Sequence, residues 1–196
     1  MIRIFYSNEL YHHGIKGQKW GVRNGPPYPL DKNGVVFISG SWRTSENGSP
    51  YSRKVLSNKV TSKIDEYITD KKQIIVGEAP GIDRQVQDYL NSRNYRNVVV
   101  YHAGSQPRYL SNRNWNTVSI LSNLQEGSKE WLASKDIAMS DAATEGLAII
   151  LDNNGAKATR NNIIRLYNSG KPVMAFQLSC VSEDLDDYIN IEDVVK

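Results

Sequence analysis

Five short apolar runs, separated by stretches of helical periodicity, constrain this chain more than any other feature. From Gly34 onward the runs are GVVFISG, QIIVGEA, NVVVYHAG, GLAIILDN and KPVMAFQL, each of strand length and rich in β-branched or aliphatic residues. Their apolar character is nearly continuous rather than alternating, as expected of strands in a parallel sheet covered on both faces. Between them, Leu56, Val60, Ile64, Tyr67 and Ile68 recur at helical spacing. So do Val86, Tyr89 and Leu90; then Trp131, the Lys135 stem, Ala138, Met139 and Ala142; then Ile163, Ile164 and Tyr167. This alternation predicts an α/β fold, a Rossmann-like doubly wound parallel sheet of about five strands starting near Val35, Ile74, Val98, Leu147 and Val173.

A chain of 196 residues suits one full-sized core, and 39% hydrophobic with 23% charged residues excludes a mostly disordered or low-complexity chain. The segment YHHGIKGQKWGVRNGPPYPL has no period of 2 or 3.6, so residues 1–33 are expected to form a non-regular arm outside the sheet. Residues 34–180 form the expected domain, and 181–196 an acidic tail. The arm carries five Lys or Arg against Glu9 and Asp31, which accounts for the whole net charge of +3. The tail has six acids and one Lys, leaving 34–180 at +5. A modestly basic body suits a small anionic ligand, whereas nucleic-acid binders concentrate their charge, so nucleic acid is disfavoured. Apolar runs such as Leu147 to Leu151 fall far short of the roughly 20 residues that span a bilayer, so no membrane partner is expected. The opening MIRIFYSNELYHHG lacks a signal-peptide core, and the lone Cys180 cannot make an internal disulfide, so a cytoplasmic setting is expected.

In doubly wound sheets ligands bind beyond the carboxyl ends of the strands, which singles out four segments. The first, Ser39, Gly40, Ser41 and onward to Arg43, offers small residues for close backbone approach and a cation for an anion. The second, GEAPGIDRQ from Gly77, is the sharpest. Gly77 and Gly81 permit a tight turn, and the helix after them presents N–H groups and a positive dipole end. There Asp83 either caps the helix or, with Arg84, grips ribose hydroxyls and phosphate. The third, from Asp152 through Asn154, Gly155, Thr159, Arg160 and Asn162, repeats the strand, small-residue loop and helix order. The fourth, AGSQPRYLSNRNW, sets Arg108 and Arg113 beside Tyr109 and Trp115, either to stack a base and hold a phosphate or as a solvated loop. No GxxxxGK[ST], GxGxxG or GxSxG motif occurs, and His12, His13 and His102 are too scattered for a metal site. Neither a metal nor a cofactor is expected.

At GEAPGIDRQVQDYL and at SKDIAMSDAATEGLAIILDNNGAKATRNNIIRLYNSGKPVMAF, the sequence resembles the SLOG superfamily. These are Rossmann-like proteins related to YspA-type proteins, the DNA-processing protein A and the Lonely Guy phosphoribohydrolases. The similarity covers about Val35 to Phe176. It implies that Ser39 to Arg43, Gly77 to Arg84 (with Glu78 and Ala79) and Gly155 to Asn162 form a pocket for nucleotides or nucleotide-derived ligands. Lonely Guy enzymes place a Glu three residues after the Thr of their glycine turn to assist N-glycosidic cleavage, whereas this chain has Asn162 at that distance from Thr159. An amide cannot serve as a carboxylate base.

The arm segment HHGIKGQKWGVR resembles one that recurs at the ends of proteins encoded by phages and prophages of Gram-positive bacteria. The combined expectation is a homo-oligomeric binder of a nucleotide or NAD-derived molecule, acting as a phage-encoded sponge or sensor of a nucleotide immune signal in the host cytosol. The alternative is an N-glycosidase acting on a nucleoside 5′-monophosphate. The arm is a candidate docking peptide for a partner.

Overall fold

The computed structural model describes residues 3–6, 33–42, 56–121, 125–151, 156–179 and 186–195. In chain order its elements are β1 (Arg3–Tyr6), β2 (Val35–Gly40), α1 (Asn58–Thr69), β3 (Gln73–Val76), α2 (Ile82–Ser92), β4 (Val98–Ala103) and β5 (Asn116–Leu121). There follow α3 (Lys129–Ala142), β6 (Glu145–Leu151), α4 (Lys157–Asn168), β7 (Val173–Leu178), β8 (Asp187–Tyr188) and α5 (Ile191–Val195). All five apolar runs become strands, and all run parallel. Among the described residues the sheet has eight strands in the order β1-β5-β4-β3-β2-β6-β7-β8, parallel from β5 to β7 and antiparallel at its two edges.

Three strands lie beyond the five expected. β5 alternates: Val118 and Ile120 are buried against the α3 side while Thr117 and Ser119 on the opposite face are only partly buried. A search for continuous apolar runs passes over such a one-sided strand. The arm was expected to lie outside the sheet, yet its residues 3–6 form β1, whose Phe5 pairs with Ser119. Residues 186–195 of the acidic tail are likewise part of the fold. β8 pairs with β7, and Ile189, Ile191, Val194 and Val195 pack against the cluster of Ala148, Ile150, Ile163 and Ala175. Asp186 is buried there, its Oδ1 accepting from the Ser179 N–H at 2.8 Å.

The sheet divides two layers of helix. Val36, Ile38, Ile74, Val76, Val98 and Val100 face α1 and α2, meeting Val60, Ile64, Val86 and Leu90. The alternate residues Val35, Phe37, Ile75, Val99 and Tyr101 face α3, meeting Ala138 and Met139. Burial of this kind contributes about 25 cal/mol per Å² of apolar area. On α4 the buried stripe is Thr159, Asn162, Ile163 and Leu166, so Tyr167, expected in the core, is left 47% exposed.

No helix joins β4 to β5. Residues 104–115 instead pack across α2 as a coil whose backbone is satisfied by side chains, as a buried loop requires. The Ser111 N–H donates to Gln87 Oε1 at 3.1 Å, Asn91 Nδ2 donates to the Ser111 carbonyl at 3.3 Å, and the buried Trp115 ring donates to the Tyr95 carbonyl at 2.8 Å. Trp115 is therefore core and not a stacking surface.

Candidate functional site

The strand order reverses direction at β2, which lies between β3 and β6. Helices α1 and α2 cover one face and α3 and α4 the other, and in sheets of this kind ligands bind beyond the carboxyl ends of the strands beside such a reversal. Ser41 is the joint of this edge. It is fully buried: its N–H donates to the Ile149 carbonyl at 3.0 Å, its Oγ accepts from the Leu151 N–H at 3.1 Å, and its carbonyl accepts from the Ile82 N–H at 3.1 Å. The neighbouring glycines serve the same joint. A Cβ on Gly40 would lie 2.1 Å from Ile82 Cγ2, and one on Gly81, where φ is +93°, would lie 2.4 Å from the Trp42 carbonyl oxygen. The close approach legible in these small residues is thus α2 pressing on the β2 exit. Ser39 is buried within β2. Arg43, Asp152, Asn154 and Gly155 lie outside the described residues.

The chemistry concentrates beyond β3. Gly77 has no side chain, and a Cβ there would lie 2.4 Å from Asp83 Oδ2 and 3.1 Å from Lys135 Nζ. Through this gap a carboxylate from α2 and an ammonium from α3 approach each other across the end of the sheet. Asp83 is not the helix cap. Gly81 occupies that position, and Asp83 turns inward, its Oδ2 accepting from the Ala79 N–H at 3.1 Å. Burial pushes the Asp83 carboxyl up to about 6, with Asp136 and Glu78 adding to the rise and Lys135 opposing it. Lys135 is buried too and donates to Asp136 Oδ1 at 2.7 Å. Desolvation, the largest influence, pulls its pKa down, but Asp136, Asp83 and Glu78 together hold it above the ordinary lysine value.

Glu78 closes the other side of the cluster. Its side chain is buried and accepts from the Ala103 N–H at 3.1 Å and from the Arg108 N–H, while Arg108 Nε lies 3.3 Å from Oε1. His102, beside it at the end of β4, is buried, and its Nδ1 has no hydrogen-bond partner among the described residues. Burial lowers the His102 pKa, outweighing Glu78 and the Gly104 backbone. Sequence reasoning missed Lys135, Asp136 and His102 as site residues. The one signal it had was a lysine in the apolar stripe of the third helix, which demands a buried counter-charge.

Arg108 meets the cluster at Glu78, and Arg84, next in sequence to Asp83, lies beside Tyr109. The Arg84 guanidinium lies 4.5 Å over the Tyr109 ring. Arg113 does not join them, because it lies three residues before β5, whose Asn116 pairs with Val99 near the start of β4, at the opposite edge of the sheet. In the third segment Ala156 is the N-cap of α4, Thr159 is a buried residue of the first turn, and Arg160 is exposed. Asn162 is buried, and its Oδ1 accepts from Arg165 at 2.7 Å. A cluster of buried, mutually interacting ionisable groups at this edge of the sheet makes it the candidate site.

No family model, curated protein or solved structure matches this chain. Among the described residues no helix is long and apolar enough to cross a membrane, and no group of three or more His, Cys, Asp or Glu could hold a metal ion.

Proposed function

We propose that the chain binds a nucleotide or NAD-derived small molecule at the carboxyl edge of the sheet and retains it unaltered. The observation that carries this reading is the convergence of Glu78, Asp83, Lys135 and Asp136 beyond β3, rimmed by Arg84 and Arg108, beside the point where strand order reverses. Carboxylates accept from ribose hydroxyls, and the half-exposed Arg108 guanidinium beside them suits phosphate. With the resemblance of HHGIKGQKWGVR to phage-associated termini, such retention amounts to a sponge or sensor of a nucleotide immune signal. An N-glycosidase acting on a nucleoside 5′-monophosphate is the second reading. It is favoured by Asp83, whose carboxyl near 6 is poised for acid–base work, and opposed by Asn162, an amide already engaged by Arg165.

Native mass spectrometry of the protein mixed with a nucleotide-rich cell extract tests both. The expected result is a stoichiometric adduct of nucleotide mass whose ligand is recovered intact after heat release. Free base in more than stoichiometric amount, abolished by Asp83→Asn or Glu78→Gln, promotes the glycosidase, and the absence of any adduct overturns the binding reading.

A further inference from the structure

The cation and aromatic at the rim form a stack that the cluster itself holds in place. Arg84 leaves the first turn of α2 and lies over Tyr109, with its side chain 44% exposed. Asp88, one turn along the same helix, fixes the arrangement from below. It accepts from the Tyr109 hydroxyl, from Ser111 Oγ at 2.9 Å, and pairs with Arg84 Nε at 3.9 Å. The loop carrying Tyr109 is anchored on both sides, by the Arg108 N–H on Glu78 and by the Ser111 N–H on Gln87. Gln87 in turn donates to the Gly77 carbonyl at 2.8 Å. The ring and guanidinium therefore keep a fixed position relative to Gly77 and the charged cluster beside it, and ordering them on binding costs little.

A guanidinium plane backed by an aromatic ring is a stacking surface for a flat heterocycle, because both faces of the cation attract π-electrons and it is only weakly hydrated. Arg108 is turned to Glu78, Arg113 lies at the other edge and Trp115 is core, so among the aromatic and basic residues of the Ala103 to Trp115 loop only Tyr109 is built into such a surface. Resting on the nucleotide-binding reading above, we infer that the Arg84–Tyr109 stack is the base-recognition subsite, taking the nucleobase while the ribose lies toward Glu78 and Asp83 and the phosphate toward the half-exposed Arg108 guanidinium. Stacking tolerates any base but rewards ring area, so purines are preferred over pyrimidines.

The test titrates the full chain with AMP, CMP, ADP-ribose and ribose 5-phosphate by calorimetry, in the wild type and in Tyr109→Leu and Arg84→Lys. The wild type should bind AMP roughly tenfold to a hundredfold more tightly than ribose 5-phosphate, with CMP between them. Tyr109→Leu should bring that ratio close to one. Arg84→Lys keeps the charge, loses the plane and should do the same. Variants that keep the full wild-type ratio overturn the stacking subsite and leave the binding reading standing. A wild type that binds none of the four probes overturns both.

Discussion

Replacing Lys135 by Met should destabilise the protein by about 3–5 kcal/mol at pH 8, measured by urea unfolding. Lys135 is the only buried cation beside Asp83, Asp136 and Glu78 among the described residues, and its Nζ donates to Asp136 at 2.7 Å. Met fills the same volume without charge, so the loss reports electrostatics and not a cavity. The carboxylates left behind either remain ionised without compensation or take up protons at pH 8, and each route costs free energy. Asp83→Asn in the same chain removes one of those carboxylates. The double variant should then be less destabilised than Lys135→Met alone, a non-additivity expected of groups sharing one network. A Lys135→Met protein as stable as the wild type would show that the cluster is not held together by charge.

Asp83→Asn alone should flatten the dependence of stability on pH. The carboxyl titrates near 6 in the folded protein against 3.8 ordinarily, so the folded state holds the proton more tightly than the unfolded chain does. Its contribution to stability is fully present below pH 4 and is lost as pH rises through 6, a difference of about 3 kcal/mol at 1.36 kcal/mol per unit. Asn is nearly isosteric, still accepts from the Ala79 N–H and carries no charge, so the variant should melt above the wild type at pH 8 and match it at pH 4. Parallel melting curves for the two proteins from pH 4 to pH 8 would place the Asp83 proton elsewhere.

The sequence made the centre of the sheet legible because a strand buried on both faces has nowhere to put a polar residue. Val35 to Ile38 and Leu147 to Leu151 announce themselves for that reason. β5 did not, because only Val118 and Ile120 point into the core, and β1 and β8 are short edges whose pairing is decided by the strands beside them. At the site, Gly77, Gly81 and Asp83 were legible as a tight turn carrying a carboxylate. What Gly77 makes room for was not, since Lys135 arrives from a helix more than fifty residues away on the other face of the sheet. Asp83 reads as a cap from its place beside the helix start, and it took the position of Gly81 in space to turn it inward. Arg113 illustrates the converse. Five residues from Arg108 in sequence, it lies at the opposite edge, because the parallel pairing of β4 and β5 makes the connecting loop run the full height of the sheet.

Backbone amide NMR during titration with AMP and with ADP-ribose locates the binding edge directly. Binding at the carboxyl edge predicts saturable shifts at Gly77 to Arg84 and at Ala103 to Tyr109, with residues at the amino edge such as Lys71, Asn94 and Arg113 unmoved. Shifts confined to the amino edge, or none at millimolar concentrations of both molecules, would contradict it.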